Sequence, residues 1–463
     1  MQSGPKVVVI GSGSYFFGKP VIYNMVQSPV LRQGTLALID TDAETCETMR
    51  ALAERAKAHA GAGQLKIEAG VERRALLANA DFVVNSFSFR NAYYRGLDTR
   101  IAQRYGVTMC SSDTIGPGGI FRALRELPEV LAIAKDVEEL APQAWVINFV
   151  NPTTVLGMGL MRHAPQVRSF ALCDGNHMPY VREHYLKMCG IVPEDTPRLD
   201  PRYKELDAKL ELEIAGVNHC TWALKCAFEG KDMMPAIKAY VDRKACQEYD
   251  NAPSEKAKPR LNMNYCQQLM DIYGCYPTAV SHTKEYVPFF QGYGVSPNLP
   301  EPVIAFDAYN RADEMAAAWK ITQAYAKGEK PMQEFFEQGH GDHATDIIEA
   351  MWSNSGKKFY INSANRGAVA NLPDDAFLEL LCKVDMNGPL PLKLESKMPR
   401  GLLGLTQQVL DTHELTVEAS MSKDRKTLLK AMLTDPIINN IGDARRIMEE
   451  LLEAEADHLE GWN

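Results

Sequence analysis

Residues 6–40 read KVVVIGSGSYFFGKPVIYNMVQSPVLRQGTLALID, and this stretch decides the fold. Its two ends, residues 6–10 and 35–39, are short aliphatic runs typical of strands buried on both faces. A glycine turn, residues 11–14, follows the first run and leads into an apolar stretch with helical spacing. Asp40 follows the second run. The order strand, glycine turn, helix, strand and acid predicts a dinucleotide-binding βαβ unit.

The turn and the acid supply the expected cofactor contacts. Gly11 permits the tight turn, and Gly13 lets the backbone approach a pyrophosphate, whose charge the helix N-terminus favours. Asp40 can accept hydrogen bonds from a ribose 2′-OH and would repel a 2′-phosphate, so NAD is favoured over NADP. The residues that continue the turn are also expected at the cofactor: Ser14, Tyr15 and Phe16.

Phe16 departs from the usual G-x-G-x-x-G fingerprint, because it occupies the position of the third glycine. The helix and strand therefore cannot pack there in the usual way. A G-x-G pattern alone is a weak signal, since many loops contain one. The alternative is a glycine-rich turn of an α/β sheet that binds nothing; the strand before the turn and the acid after it favour nucleotide binding.

Three further apolar runs, residues 81–87, 144–149 and 168–173, predict more buried strands between helical stretches. The sequence thus indicates an α/β fold whose N-terminal part is a doubly wound, Rossmann-type sheet. Ligands of such sheets lie beyond the carboxyl ends of the strands. That rule places a set of polar residues at the cleft, the first two of them beside the cofactor: Ser86, Asn148, Asn151 and Cys173.

The rhythm of the sequence changes after about residue 190, where two half-buried strands precede a mostly helical remainder. We predict two domains: residues 1–190 bind NAD, and residues 191–463 form a mixed α+β domain for substrate, metal and oligomerisation. The helix predicted between residues 119 and 140 contains Pro128, which is expected to break or kink it. The last helices, from Lys423 onward, are partly amphipathic and belong to the core or to a subunit interface.

Composition excludes several partners. The 463 residues carry 50 basic and 59 acidic side chains, a net charge of −9 that argues against nucleic acid and anionic membranes as partners. No apolar run approaches a membrane helix, and no signal-peptide core precedes the first strand. The ten cysteines include no C-x-x-C pair, so we expect free thiols and a cytoplasmic location.

Four residues stand out as candidates for chemistry. Cys173 ends a predicted strand and His219 lies in a Gly-Val-Asn-His turn; thiolate and imidazole together suit a divalent transition metal. Taken alone, Cys173 is better interpreted as a small buried residue at a strand end, and His219 as a turn histidine bonded to the backbone. Asp113 lies in a glycine-rich loop that opens a helix, where it can bind a sugar or merely begin the helix. His282 lies between predicted helices, and the sequence leaves three roles open for it: a base, a ligand or a surface residue.

These residues carry a family resemblance. The stretches that match are, in order, IGSGSYFF, SSDTIGPGGIFRALRELP, WVINFVNPTTV, CDGNH, GVNHCTW, HTKEYVP, NRGAVANLPDDA and THELTVEA. They span residues 7 to about 420, nearly the whole chain. Because these stretches occur in the family's order, the chain resembles glycoside hydrolase family 4, the NAD- and manganese-dependent glycosidases. The glycine turn of that family is also followed by bulky residues. The resemblance implies a lactate/malate dehydrogenase-like fold and a homodimer or homotetramer.

The resemblance also implies an unusual mechanism, outside the two-carboxylate scheme of most glycosidases. The sugar's C3 gives a hydride to tightly held NAD⁺, and the metal, bound to O2 and O3, polarises the resulting ketone. A base then removes the acidified C2 proton and the glycosidic oxygen leaves by elimination. Water adds, and NADH returns the hydride.

Site roles follow from the resemblance residue by residue. Cys173 and His219 match the metal ligands, Asn151 matches a substrate-binding asparagine, and Asp113 matches a loop acid near the scissile oxygen, a candidate proton donor. Asn218, beside His219, is assigned to substrate binding.

This chain differs from the family at the residue expected to remove the C2 proton. Relatives carry tyrosine or aspartate just before the position of His282, and this chain does not. His282 itself is our candidate. The alternative is a tyrosine that folds into the site, Tyr265 or Tyr276.

The substrate is left open between an α-hexoside and an acidic, uronide-like glycoside. The Cys-Asp-Gly-Asn sequence from Cys173 matches none of the family's usual substrate signatures. Arg90, Arg95 and Arg122 are able to bind an anionic C6 group. Two other functions compete: a plain NAD-dependent dehydrogenase of a sugar or hydroxy acid, which would accumulate NADH, and a non-catalytic sugar or nucleotide sensor that has lost its base.

Overall fold

The computed structural model of the protein describes residues 4–14, 16–251, 262–290 and 304–462. Its first part alternates strands and helices. The elements are β1 (Lys6–Ile10), α1 (Gly18–Gln27), β2 (Thr35–Ile39), α2 (Ala43–His59), β3 (Lys66–Gly70), α3 (Arg73–Leu77), β4 (Phe82–Asn85), α4 (Asn91–Gln103), α5 (Gly116–Leu140), β5 (Trp145–Asn148), α6 (Thr153–His163) and β6 (Arg168–Ala171). The strands predicted within residues 6–173 are therefore confirmed, with ends that differ by up to two residues.

The second part is mixed and mostly helical, as predicted. Its elements are α7 (Tyr180–Met188), α8 (Arg202–Asp207), β7 (Leu210–Val217), β8 (Cys220–Phe228), β9 (Lys231–Asp232), α9 (Met234–Asp250), α10 (Asn262–Tyr273), β10 (Tyr276–Pro277), α11 (Val280–Thr283), α12 (Ala308–Lys327), α13 (Met332–Gln338), α14 (His343–Trp352), β11 (Lys358–Ala364), β12 (Phe377–Asp385), β13 (Gly388–Pro391), α15 (Arg400–Ser422), α16 (Arg425–Thr434) and α17 (Ile441–Ala454).

One sheet holds all the strands of the described residues, in the order β10-β8-β7-β12-β11-β6-β5-β4-β1-β2-β3, with β13 beside β12 and β9 beside β8. Strands β1 to β6 pair in parallel. The later strands pair antiparallel and join the parallel part where Asn362 of β11 faces Ala171 of β6. Because both parts share this sheet, the boundary at residues 190/191 stays a prediction.

Strand β1 shows why the parallel part is buried on both faces. Val7 and Val9 belong to one hydrophobic core, on the side of α1 and α2, and Val8 and Ile10 belong to another on the opposite face. Alternate residues point to opposite faces of a strand, so a continuous aliphatic run buries both. The glycine turn therefore begins at the carboxyl end of a strand that is packed on both faces.

Two details differ from the sequence prediction. Helix α5 runs unbroken from Gly116 to Leu140 with Pro128 inside it; residues on both sides of this proline are buried in the core, and tertiary packing outweighs the lost hydrogen bond. Strands β3, β9, β10 and β11 to β13 were not predicted.

The C-terminal helices are part of the core. Residues of α16 and α17, such as Leu428 and Ile447, are fully buried in one cluster with Phe121 of α5. A buried ion-pair network ties the same region together, since Arg125 of α5 contacts Asp98 of α4 and Glu455, which follows α17. In the described part of the chain, no helix is long and apolar enough to cross a membrane.

Candidate active site

The glycine turn after β1 is held tightly by the backbone. The N–H groups of Gly11 and Ser12 both donate to the Ile39 carbonyl, each at 2.9 Å. Gly11 has a φ of +86°, and a Cβ there would lie 2.7 Å from the backbone of Phe87. A Cβ on Gly13 would lie 2.5 Å from the Thr45 side chain. Position 11 therefore requires glycine, whereas a side chain at Gly13 would force Thr45 to move; the turn leads directly to the start of α1.

Asp40 is coupled to this turn. Its carboxylate accepts the N–H of Gly13 and the N–H of Thr41, both at 2.9 Å. A carboxylate has further lone pairs, so these bonds leave capacity for a hydroxyl donor. The structure thus brings the acid and the glycine turn together, as the βαβ pattern predicts.

A cavity of about 630 Å³ begins at the turn, and we call it the main cavity. Predicted site residues line it from both ends: Gly11, Gly13, Ser14, Phe16, Asp40, Ser86, Arg90, Arg122, Asp113 and Asn151. Arg95 and, from α12, Arg311 and Trp319 complete its wall. Tyr15 lies outside the described residues. One continuous space therefore joins the expected cofactor site to the residues expected at the sugar.

Cys173, His219 and His282 do not line the main cavity and are described below; three further predicted residues also lie elsewhere. Asn148 is fully buried and its amide donates to the Val150 carbonyl at 2.9 Å, so it shapes the loop after β5 and does not line the main cavity. Tyr265, expected as a possible base, packs edge-on against Phe290 in the hydrophobic core. Asn218 lies behind His219, beside Cys173 and Glu379.

Asp113 is the centre of the polar end of the main cavity. Its carboxylate lies 3.7 Å from Arg95 and 3.5 Å from Arg122, and it accepts hydrogen bonds from Ser111 and from the Asn151 amide. Burial opposes the charged form, but the neighbouring charges, with Arg95 the strongest, hold the pKa of Asp113 well below its usual value. Asp113 is therefore ionised at neutral pH.

Two histidines adjoin this carboxylate. The rings of His219 and His282 stack at 4.0 Å with an angle of 9° between their planes. Nitrogen atoms of both rings and a carboxylate oxygen of Asp113 lie within 4.8 Å of one another. Burial, and then the neighbouring His282, lowers the pKa of His219 to about 3, so its imidazole is neutral at pH 7. Two imidazoles and a carboxylate are ligands that suit a divalent transition metal.

The turn that presents His219 is fixed from behind. His219 itself has a φ of +64°. The Tyr286 hydroxyl donates to the Asn218 carbonyl at 3.0 Å, and the Thr283 hydroxyl donates to the His219 carbonyl at 2.9 Å. Helix α11, which carries His282 and Thr283, and Tyr286 just after it thus hold the turn of His219 next to His282. The Nδ1 atoms of the two histidines find no hydrogen-bond partner among the described residues.

Cys173 lies just beyond β6, with its Sγ 3.5 Å from the N–H of Gly175. Burial, aided by the charge of Glu379, raises the pKa of this thiol to about 12. Across the described ranges, the three-residue group that could hold a metal includes His219 but not Cys173. The assignment of Cys173 as a ligand stays a prediction.

Sequence reasoning missed two buried acids beside the site. Glu379 of β12 accepts a hydrogen bond from the Asn176 amide at 2.8 Å, and burial raises its pKa to about 7. Glu285 accepts the N–H of Ser111 at 2.8 Å, and burial likewise raises its pKa to about 7. The only signal in the sequence was that Glu285 lies three residues after His282.

Comparison with known proteins agrees with this geometry. The model of the "Family 4 glycosyl hydrolase" family matches residues 6–189, and the model of its C-terminal domain matches residues 214–438. An alpha-galactosidase of Bacillus subtilis (strain 168) is 28% identical, with 98% of this chain and 99% of that protein covered. An alpha-galacturonidase of the same organism is 25% identical, with 97% of each chain covered.

The solved structures show the same fold. The crystal structure of a 6-phospho-alpha-glucosidase from gut microorganisms, in complex with NAD and Mn²⁺, has a TM-score of 0.75 and 21% identity. The similarity covers 98% of this chain and 99% of that one. With two family models that together match most of the sequence, the chain belongs to family 4 of the glycosyl hydrolases.

Proposed function

We propose that this family 4 enzyme uses NAD and Mn²⁺ to cleave a glycoside whose reacting sugar carries an acidic group at C6. The observation that carries the proposal is the continuity of the main cavity. It joins the glycine turn and Asp40 at one end to Asp113, Asn151 and a group of arginines at the other. A redox cofactor and a sugar placed in this space would lie side by side, which a hydride transfer requires.

The cofactor end fits NAD. The close contacts of Gly11 and Gly13 leave no space for side chains where a pyrophosphate would pass. Asp40 offers a carboxylate to a ribose hydroxyl and opposes a 2′-phosphate. NAD bound here would take a hydride from the sugar and return it at the end of the cycle. The similar 6-phospho-alpha-glucosidase structure contains NAD, which supports the same cofactor here.

The metal end fits a divalent ion. His219 is neutral and buried, with an Nδ1 that has no partner in the described part of the protein, and such a nitrogen is available as a ligand. We assign Cys173 and His219 as ligands; His282 and Asp113, whose ligand-type atoms lie within 4.8 Å of that of His219, keep the proton-transfer roles described below. Mn²⁺ bound here would polarise a sugar carbonyl as a Lewis acid.

The protein's own groups divide the proton transfers. Burial lowers the pKa of the His282 imidazole, so it is neutral at pH 7 and able to accept a proton from C2. Asp113 is ionised in this structure, so it must first gain a proton before it can donate one to the leaving oxygen. Asn151 donates to Asp113 at 3.3 Å, which orients the amide toward the position of a sugar hydroxyl.

Charge in the main cavity favours an acidic substrate. Arg90, Arg95, Arg122 and Arg311 line the main cavity. Asp113 lies close to Arg95 and Arg122, Arg122 also pairs with Glu126, and Arg311 pairs with Glu314. Arg90 lies over the ring of Tyr93 at 4.0 Å and forms no ion pair with any described residue. An anionic C6 group would therefore find uncompensated guanidinium charge. A similar protein is an alpha-galacturonidase by name.

The first experiment is a panel of 4-nitrophenyl α- and β-glycosides in neutral, uronic and 6-phosphorylated forms, with NAD⁺, Mn²⁺ and a thiol. Nitrophenol release and NADH absorbance are followed together. The proposal predicts nitrophenol release from an acidic glycoside without net NADH. Accumulation of NADH without nitrophenol would instead indicate a dehydrogenase, and preference for neutral glycosides would refute the acidic-substrate assignment.

A variant pair tests the role of the arginines. Arg90→Met should raise KM for the acidic glycoside about tenfold or more, since a charge-assisted hydrogen bond is worth about 1.5–3 kcal/mol. Arg100→Met, on the exposed face of the same helix α4, makes the same charge change away from the cavity and should leave KM unchanged.

We further propose that the protein works in the cytoplasm as a homodimer or homotetramer. All ten cysteines are free thiols, which suits a reducing compartment. Light scattering on the purified protein tests the oligomeric state, and a monomer at micromolar concentration would refute it.

A further inference from the structure

The two residues assigned as metal ligands come from parts of the sheet that are not adjacent. Cys173 lies just after β6, whereas His219 lies in the turn between β7 and β8. In the order of the strands, β11 and β12 lie between β6 and β7. The two ligand segments must therefore be held together across two intervening strands if both are to reach one ion.

A row of directly opposed residues crosses the sheet at this place. From β6 through β11, β12 and β7 to β8, the row consists of Ala171, Asn362, Glu379, Gly216 and Thr221. Residues that lie directly opposite each other on neighbouring strands direct their side chains to the same face of the sheet. The carboxylate of Glu379 therefore lies on the same face as the Thr221 hydroxyl, in the middle of these five strands.

Asn176 connects this row to the segment of Cys173. It lies three residues after Cys173 in the chain, and its side chain is buried. Its amide donates to the Glu379 carboxylate at 2.8 Å and to the Thr221 hydroxyl at 3.4 Å. Thr221 lies two residues after His219. Glu379 thus holds, through one amide, a contact between the two ligand segments.

Glu379 is also close to the ligands themselves. Asn218, which precedes His219, lies beside both Glu379 and Cys173. Burial, and then the charge of Glu379, raises the pKa of the Cys173 thiol, so the carboxylate lies near the sulfur.

Stability alone does not account for an acid at this position. Glu379 is 2% exposed, and no described lysine, arginine or histidine forms an ion pair with it. A buried acid without a cationic partner lowers the stability of a fold. Its hydrogen bond to Asn176, beside both ligand segments, is the feature that a function of the site would use.

We propose that Glu379 is a positioning residue of the metal site, which holds the Cys173 segment and the His219 turn at the separation that one divalent ion requires. It acts through Asn176 and does not touch the ion. This inference rests on the proposed function, in which Cys173 and His219 bind the metal, and adds to it the residue that orients them. Partners of this kind typically account for about 10–100-fold in metal affinity.

Mn²⁺ affinity, followed by the electron paramagnetic resonance signal of the free ion, tests this role. Glu379→Met removes the acceptor of the Asn176 amide and should weaken Mn²⁺ binding about 10–100-fold. Glu379→Gln keeps a carbonyl oxygen for that amide and should bind Mn²⁺ within about threefold of the parent protein. Equal losses in the two variants, or no loss in Glu379→Met, would overturn the inference.

A double-variant cycle tests the contact between the two side chains. Asn176→Ala should weaken Mn²⁺ binding about as much as Glu379→Met does. The double variant should lose no more than either single variant, because each removes the same contact. Losses that multiply in the double variant would show that the two residues act separately, and would contradict the inference.

Glu183→Met is the matched control. Glu183 of α7 is also a buried acid, but it accepts the N–H of Leu199 at 3.1 Å and contacts neither ligand segment through that bond. Its loss should leave Mn²⁺ affinity unchanged. NADH affinity, measured by fluorescence, should be unchanged in Glu379→Met, since the glycine turn and Asp40 lie apart from Glu379; a parallel loss of NADH affinity would indicate a general effect on folding and overturn the inference.

The parent protein separates the two levels of the argument. If it binds Mn²⁺ and Glu379→Met binds it equally well, the proposed function stands and this inference is wrong. If the parent protein itself does not bind Mn²⁺, the metal assignment of the proposed function fails and this inference fails with it.

Discussion

Replacement of Asp40 by asparagine tests how the protein selects its dinucleotide. The carboxylate holds the glycine turn through the N–H of Gly13 at 2.9 Å and lines the main cavity. Asparagine keeps a carbonyl oxygen for the N–H of Gly13, and the exposed N–H of Thr41 can turn to water, so the turn is retained while the negative charge is lost. We therefore expect a change in cofactor binding with little change in folding.

The magnitude follows from the two interactions of the carboxylate. A hydrogen bond from the ribose 2′-OH to a charged group is worth about 1.5–3 kcal/mol, so Asp40→Asn should bind NADH about 10- to 150-fold more weakly. In the parent protein, a 2′-phosphate near Asp40 meets a repulsion of about 1–4 kcal/mol per pair of charges at 4 Å, depending on solvent access. The variant relieves this repulsion, so its preference for NADH over NADPH should shrink.

Titration of the reduced cofactors by fluorescence measures both dissociation constants. Asp42→Asn is the matched control, because Asp42 carries the same charge two residues further on and caps α2 by accepting the Thr45 N–H at 2.7 Å. Asp42 does not line the main cavity, and asparagine caps helices equally well. An unchanged NADH affinity in Asp40→Asn, or an equal loss in Asp42→Asn, would refute the assignment of Asp40.

Three further predictions concern stability and metal binding. Arg125→Met should lower the free energy of unfolding by about 3–5 kcal/mol, measured by urea denaturation, because it leaves the carboxylates of Asp98 and Glu455 buried without their partner. Mn²⁺ affinity, measured by electron paramagnetic resonance, should rise about tenfold per pH unit between pH 6 and 8 if Cys173 is a ligand as we propose, since burial raises the pKa of its thiol to about 12 and the thiol would have to release one proton to bind. Burial raises the pKa of Glu285 to about 7, above the value of about 4.3 in an unfolded chain. The free energy of unfolding should therefore fall as the pH rises between these two pKa values. Glu285→Gln should remove this fall, which is on the order of 3 kcal/mol.

Each of these predictions has a control. Arg50→Met breaks an exposed ion pair with Glu47 and should change the free energy of unfolding by less than about 1 kcal/mol. A change as small as this in Arg125→Met would contradict the first prediction. Cys246→Ser alters an exposed thiol, so its Mn²⁺ affinity should keep the parent's slope. For the third prediction, Glu334→Gln on the surface should show the same pH dependence of the free energy of unfolding as the parent protein. If Glu285→Gln also kept that pH dependence, Glu285 would not be the group that causes it.

The parts of this protein that the sequence predicts are those encoded by neighbouring residues. The βαβ unit of residues 6–40 is recognisable because strand, turn and acid follow one another within one stretch, and each has a local physical signature. The rule that ligands gather beyond the carboxyl ends of parallel strands predicts Cys173 at the cleft; it lies just beyond β6, and its role as a metal ligand stays a prediction. His282 was singled out only as a polar residue in a loop, and its stacking on His219 depends on the fold.

The parts that escaped prediction depend on distant residues. Glu379 reaches Asn176 only because β12 and the end of β6 lie in the same sheet, about two hundred positions apart in sequence. Tyr265 shows the opposite case, a residue predicted at the site that lies in the hydrophobic core. Its hydroxyl made it a candidate base, but its position on the apolar face of α10 directs the ring to Phe290 in the core. Side-chain type alone could not distinguish these environments.

The central claim is that the glycosidic bond is broken after oxidation at C3 and removal of the C2 proton. The most direct test is to cleave the acidic glycoside in D₂O with NAD⁺ and Mn²⁺ and to examine the released sugar by NMR. The account predicts deuterium at C2 of every sugar molecule released, since the proton removed by the base exchanges with solvent. Complete cleavage with the original hydrogen retained at C2 would contradict it.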